Sequence, residues 1–187
     1  MEADDKKRCH WCLKDQLYRD YHDFEWGEPA HDDPHLFEHL VLETFQAGLS
    51  WHTILKRREQ FRMAFDGFEP SIIAGYDENR QNELMQNEGI IRNRAKIKAT
   101  VGNAKAFLLV QKEWGSFDNY LWHFTDNKII TKRPSGMGDY VAQNELSVLV
   151  SKDMKKRGFS FVGPVGIYAY LQAVGVINEH MSYCFKG

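Results

Sequence analysis

This sequence predicts an all-α fold, and three observations carry that expectation. Apolar residues recur at three- and four-residue spacing along most of the chain, and period-two alternation is nearly absent. Asp33, Ser50 and Ser116 stand at the head of apolar stripes, where a helix needs a side-chain acceptor for its first free N–H groups. With 187 residues, 43% hydrophobic and 13% aromatic, the chain has enough apolar material for a globular core. It shows no repeat, low-complexity tract or long linker, so it is read as a single domain over 1–187.

Taken in order, Asp33-Pro34 opens the first helix as a cap followed by proline, whose missing N–H costs nothing in a first turn. Leu36, Leu40 and Ala47, with Phe37, Val41 and Phe45 alongside, give it an inward side. Gly48-Leu49-Ser50 breaks the helix. Ser50 caps a second one that carries Trp51, Ile54, Leu55, Phe61 and Phe65 inward and stops near Gly67. Two short helices follow, after Pro70 and after Asp77. A longer one starts near Asn93, with Ile97, Val101, Ala104 and Leu108 as its stripe. Ser116 caps a short aromatic helix through Tyr120, Leu121, Trp122 and Phe124. The stretch 127–138 is irregular, with 128–131 as strand or extended loop. Helices resume over about 145–157 and 164–174.

No apolar run approaches bilayer length, and residues 1–10 are too charged for a secretory signal, so a soluble cytoplasmic protein with no membrane partner is expected. Nothing suggests a protein partner, and a monomer is expected. Three cysteines, an odd number, cannot close a disulfide framework. The net charge of −2 excludes a globally basic nucleic-acid binder, yet the charge is unevenly spread. Residues 89–112 contain no acid and carry Arg92, Arg94, Lys96, Lys98, Lys105 and Lys112. Lys155, Lys156 and Arg157 form a second cluster, and Lys56, Arg57 and Arg58 a third. Each alone reads as a solvated helix face; together they permit a phosphate-binding side.

Two constellations carry chemistry. His180 and Cys184, four residues apart, share one side of a helical turn, and Cys9, His10, Cys12 and His22 offer partners at the far end. The set suits a tetrahedral zinc site, or reduces to a free terminal thiol and a packed histidine. Glu43 lies on the line Leu36, Leu40, Glu43, Ala47, which otherwise points inward. A buried carboxylate is expensive unless paired, so Glu43 is either a structural ion pair or a site residue.

Arg8-Cys9-His10-Trp11, Tyr21-His22-Asp23-Phe24-Glu25-Trp26-Gly27, the run from Leu42 through Glu43 and Gly48 to Trp51, and Asn178-Glu179-His180 closely resemble the 3-methyladenine DNA glycosylase I family. The resemblance runs in order from about Arg8 to Cys184. It implies one structural zinc held by Cys9, His22, His180 and Cys184, a closed set with no position for an activated water. Cys12 departs from the family pattern by forming Cys-x-x-Cys with Cys9. It is read as a spare thiol, because using it in place of His22 would free an N-terminal loop. The resemblance also implies a helix-hairpin-helix element at about 146–174, although Phe161 stands where its first glycine is expected and only Gly163 is kept.

By the same resemblance the partner is double-stranded DNA containing 3-methyladenine, and the activity is hydrolysis of the lesion's N-glycosidic bond. The base must leave the stack to be reached. Leu49, at the Gly48 break, fills the gap or is simply core. Arg92, Arg94, Lys96, Lys156, Arg157 and Gly163 lie against the backbone. Glu43 reads the exocyclic amine and N7 edge of the base within walls of Trp11, Tyr18, Tyr21, Trp26 and Trp51. The lesion is a cation, drawn to each ring face by roughly 0.5–2 kcal/mol. The helix-hairpin-helix superfamily's catalytic aspartate is missing from the stretch 176–180, leaving Glu43 as the chief contributor and Glu179 as a candidate second acid. The chain lacks the strand–Lys arrangement of a lyase, so it should be monofunctional. The rival readings are a noncatalytic zinc-stabilised DNA-binding module and a glycosylase of wider alkyl-base range.

Overall fold

The computed structural model describes residues 5–187, so the first four residues of the charged N-terminal stretch lie outside it. It is mostly helical. Ten α-helices lie among the described residues: α1 (Gln16–Phe24), α2 (Asp33–Gln46), α3 (Trp51–Leu55), α4 (Arg58–Ala64), α5 (Pro70–Ile73), α6 (Glu78–Gln86), α7 (Arg94–Trp114), α8 (Phe117–Trp122), α9 (Glu145–Lys156) and α10 (Pro164–Ala173). The only strands among those residues are β1 (Ile130–Thr131) and β2 (Ile177–Asn178), a parallel pair with Ile130 opposite Ile177. The ambiguous stretch after Asn127 therefore resolves as a short clasp to the C-terminal segment. No helix of the described residues is long and apolar enough to cross a membrane.

Helix α2 organises the molecule. Every residue from Leu36 to Phe45 is buried, and the helix packs against α3, α7, α8 and α10. A helix covered all round belongs at the centre, so the one-sided inward line drawn from sequence is too narrow. Asp32, not Asp33, is its cap and accepts the N–H of His35. Asp33 is thereby free to accept the N–H groups of Phe117 and Asp118 at 2.9 and 2.8 Å, capping α8 from across the fold. The caps at Ser50 and Ser116 form as the sequence predicts, and Asp77 and Asn93 cap the helices expected to start beside them. The single helix expected from Ser50 to Gly67 is broken into α3 and α4 at Lys56–Arg57.

Helix α1, which the periodicity does not pick out, is capped by Asp15 accepting from Tyr18 N. The α9–α10 corner turns through Gly158 (φ +92°) and Phe161 (φ +57°). Its turn is pinned from α7 by Asn103, which donates to Ser160 O and accepts from Ser160 N. The left-handed backbone at Phe161 is the conformation a glycine adopts freely, at a cost of roughly 1–2 kcal/mol for any other residue.

Candidate active site and metal centre

A cavity of about 150 Å³ opens between α1, α2, α3 and α10. That is the scale on which an apolar cavity holds one flat aromatic molecule. Its walls include Trp11, Tyr18, Tyr21, Trp26, Glu43 and Trp51, so all six residues assigned from sequence to a base pocket converge. Trp11 meets Trp26 edge-on at 5.0 Å between centroids and Tyr18 at 5.1 Å, while Tyr21 tilts against Trp51 at 5.4 Å. Helix α1 supplies Tyr18 and Tyr21 one turn apart. The Asp15 cap and the spacing Tyr18, Tyr21, His22 are the sequence signal that could have revealed it.

Glu43 comes from the buried core of α2. Its Oε2 has no hydrogen-bond partner among the described residues, and neither does the indole nitrogen of Trp51. Burial alone pushes the Glu43 carboxyl up to about 8. Among the described residues no ion pair reaches it, which speaks against the structural ion-pair reading. An orphaned acid in a ring-lined cavity is the arrangement a cationic or donor-rich flat ligand would complete.

Four further lining residues were not anticipated: Gln46, and Ala169, Gln172 and Ala173 on one face of α10. Gln46 follows Glu43 by three residues, a spacing that places both on one helix face. Glu179, the candidate second acid, does not line the cavity. It is buried, accepts the Tyr168 hydroxyl at 2.9 Å on both oxygens, and accepts from the amide nitrogen of Gln172.

The expected DNA-facing residues separate into groups. Gly48 adopts φ +82° beyond α2, and Leu49 is 39% exposed beside the cavity wall. Gln46 holds that loop by accepting from Leu49 N and donating to Leu49 O. Lys96 corrects the sequence reading. It is buried, and its ammonium donates to Phe45 O at 2.7 Å and Ala47 O at 2.6 Å. It thus caps the carbonyl end of α2, where the helix dipole favours a cation, and cannot face phosphate. Arg157 is held by Asp153 at 2.6 Å and Glu113 at 2.7 Å, and Arg58 by Glu25 and Glu38. Arg92, Arg94 and Lys156 remain at the surface. Gly163 caps α10 with nothing within 4 Å of the Cβ it lacks.

At the termini, Cys9, His22, His180 and Cys184 are all buried, with ligand atoms within 4.8 Å of one another. Cys184 Sγ lies 3.5 Å from His22 Nε2 and 3.7 Å from His180 Nδ1, and Cys9 Sγ lies 3.7 Å from His180 Nδ1. For Zn–S and Zn–N bonds of standard length, a tetrahedron has S–N edges of about 3.6 Å. The donor chemistry and the spacing therefore fit a four-coordinate metal ion. His22 Nδ1 bonds to Asp23 at 2.8 Å, and Asp23 to Arg8, which fixes the ring with Nε2 toward the cluster. His180 and Cys184 reach it from a turn after β2 rather than from a helix. Cys12 lies outside the set, its thiol donating to Cys9 O at 3.1 Å. A second trio, Glu25, His35 and His39, also gathers, but Arg58 donates to both Glu25 oxygens and would repel a cation there.

Fold and site together define a helical protein with a small cavity walled by aromatic side chains and one acid that lacks a partner among the described residues. Residues 11–187 match the methyladenine glycosylase family. The chain is 42% identical to DNA-3-methyladenine glycosylase of Haemophilus influenzae over 177 residues, 95% of this chain and 96% of that one. It is 40% identical to DNA-3-methyladenine glycosylase 1 of Escherichia coli over 178 residues, 95% of each. A crystal structure of 3-methyladenine DNA glycosylase I superposes with a TM-score of 0.93 at 42% identity, covering 96% of this chain and 98% of that one. The 3-methyladenine DNA glycosylase I of Staphylococcus aureus, whose structure concerns recognition of 3-methyladenine, gives 0.92 at 35% identity, covering 96% and 95%. The chain belongs to the methyladenine glycosylase family.

Proposed function

We propose that this chain is a monofunctional DNA glycosylase that excises 3-methyladenine from alkylated double-stranded DNA, with Glu43 as the residue that recognises and releases the base. The observation that carries the role of Glu43 is its unpaired, buried carboxyl on the wall of a ring-lined cavity. The lesion nucleotide is cationic. Its arrival favours the ionised form of Glu43, which gains a charge-assisted hydrogen bond to the exocyclic amine, while the rings attract the same charge. When the glycosidic bond breaks, its electron pair goes to the base, which leaves neutral and needs no proton donor. Positive charge passes to the sugar, and water adds at C1′ and releases its extra proton to solvent. Neutral adenine fills the same space without the charge gain, and 7-methylguanine would set its O6 against Glu43.

Leu49 is the proposed wedge, since it is exposed at a clamped break between two cavity-lining helices. The α9–α10 corner is the proposed helix-hairpin-helix, presenting the N–H groups around Gly163 to a phosphate. Lys156, Arg92 and Arg94 supply salt-sensitive affinity. Cys9, His22, His180 and Cys184 would hold one zinc ion. When bound, that ion supplies a structural clasp between the two terminal segments, because all four positions are filled by protein.

The test is release of free 3-methyladenine from methylated duplex DNA. The wild type should release it and Glu43→Gln should lose most of the activity while remaining folded. Binding of the DNA without any release would make the chain a noncatalytic module. Equal release of 7-methylguanine or hypoxanthine would overturn the role of Glu43 in selection.

A further inference from the structure

The geometry points to Gln172 as a second base-reading residue, held with its carbonyl oxygen toward the cavity by Glu179. This rests on the proposed excision of 3-methyladenine. Helix α10 gives the cavity three residues, Ala169, Gln172 and Ala173. The two alanines offer only methyl groups, so Gln172 is the polar group on that wall. Its amide can present either a donor or an acceptor to a base, and the choice is made behind it.

Glu179 makes the choice. It is 1% exposed and surrounded by donors: the Tyr168 hydroxyl at 2.9 Å to each oxygen and the Lys132 ammonium at 3.7 Å from Oε1. Lys132 also donates to the Tyr168 oxygen at 3.1 Å, so the donors support one another. Both Glu179 oxygens accept from the Tyr168 hydroxyl, and the Gln172 amide nitrogen donates to one of them. The amide is thereby fixed in one of its two orientations, leaving Oε1 for a ligand. The fold holds the arrangement from both sides: Gly27 N donates to Gln172 O, and β2 carries the chain directly into Glu179.

The consequence is a cavity with two acceptors on different walls, Glu43 on α2 and Gln172 on α10. An exocyclic amine has two N–H groups and can serve both. A 6-oxo purine brings an acceptor to each and leaves polar groups unpaired in a buried site, the circumstance that gives strong discrimination. Gln172 is therefore a specificity-determining residue, and Glu179 is a positioning residue that acts through it.

The test uses the full-length protein with two readouts. One is binding of free 3-methyladenine, followed by tryptophan fluorescence. The other is the ratio of 3-methyladenine to 3-methylguanine released from DNA treated with a methylating agent. Gln172→Met keeps the length of the side chain and removes its hydrogen bonds; binding of the free base should weaken about tenfold in a protein that still folds cooperatively. The release ratio should fall. The Glu179→Gln side chain can donate as well as accept, so the Gln172 amide is free to reverse, and the ratio should fall again. In the double variant it should fall no further than in Gln172→Met, because both changes act through one oxygen. A purely structural role for Glu179 would lower the melting temperature and leave the ratio intact. Wild-type binding and ratio in Gln172→Met, or additive losses in the double variant, would overturn the inference. If the wild type releases no base at all, the excision reading fails on its own, and free-base binding still decides the role of Gln172.

Discussion

Glu43→Gln should make this protein more stable above about pH 5, even as it removes activity. In the unfolded chain the Glu43 carboxyl titrates near 4.5, and in the fold burial pushes it up to about 8. Between those values the native state keeps a proton that the unfolded chain has released, so stability falls as pH rises. Below pH 4.5 both states are protonated and the difference vanishes; above 8 both are ionised and the full penalty stands. At 1.36 kcal/mol per pH unit, the penalty is roughly 3 kcal/mol at pH 7 and at most about 5 kcal/mol above pH 8. Glu43→Gln carries no ionisation and lacks this slope. In a domain of this size, 1 kcal/mol moves the melting temperature by about 2–4 °C. The variant should therefore melt roughly 6–12 °C higher at pH 7 and nearly level with wild type at pH 4.5. Thermal melts of both proteins from pH 4.5 to 9 measure this directly. Parallel curves across that range would show that the carboxyl is solvated or paired, and the basis for assigning it the lesion's charge would fall.

The same titration should appear in kinetics. The ionised carboxylate is the form that pairs with a cation, so kcat/KM for 3-methyladenine release should rise with pH and level off near 8; a flat profile from 6 to 9 would count against the assignment. Lys96→Met should lower stability by about 1–3 kcal/mol, since the buried Phe45 carbonyl and the part-buried Ala47 carbonyl lose a charged donor. The salt dependence of DNA binding should not change in that variant, and a flatter salt slope would restore Lys96 to the phosphate contacts. Lys156→Ala should do the opposite, reducing the slope of log K against log salt by about one while melting like the wild type.

The helix caps were the most legible part of the fold. Ser50, Asp77, Asn93 and Ser116 each do locally what their residue type does in isolation. What the sequence hid depends on partners remote in the chain. Asp33 looked like the cap of its own helix but serves α8, more than eighty residues away. Lys96 sat in a basic run that reads as a phosphate face, and only the packing of α7 on α2 shows its ammonium turned inward onto carbonyls. Helix α1 is short and polar, with few apolar residues to mark it, yet it carries two cavity rings and one metal-cluster histidine. The six assigned cavity residues were legible through family resemblance, whereas Gln46 and Gln172 lay outside that reasoning. Both are uncharged side chains whose roles depend on what they are bonded to rather than on what they are.

The metal cluster and the cavity share walls, and this predicts a coupling between them. Trp11 lies within the segment that runs from Cys9 to Cys12, and Tyr21 precedes His22 on α1. Trp26 packs edge-on against the His180 ring at 4.7 Å, and Trp11 against the His22 ring at 5.4 Å. Three of the five rings are thus positioned by the residues that would grip the ion. The α9–α10 corner is not: it is pinned from α7 through Asn103, with no ring or ligand in common. Removing the ion with a chelator, or weakening the cluster with Cys184→Ser, should therefore abolish binding of free 3-methyladenine before it abolishes affinity for undamaged duplex DNA. The terminal segments should become open to proteolysis in the same step. Base-binding fluorescence and DNA anisotropy, recorded on one sample through a chelator titration, separate the two losses. If they coincide, the whole fold depends on the ion; if base binding survives with the cluster empty, the clasp and the cavity are independent, and the shared rings carry no coupling.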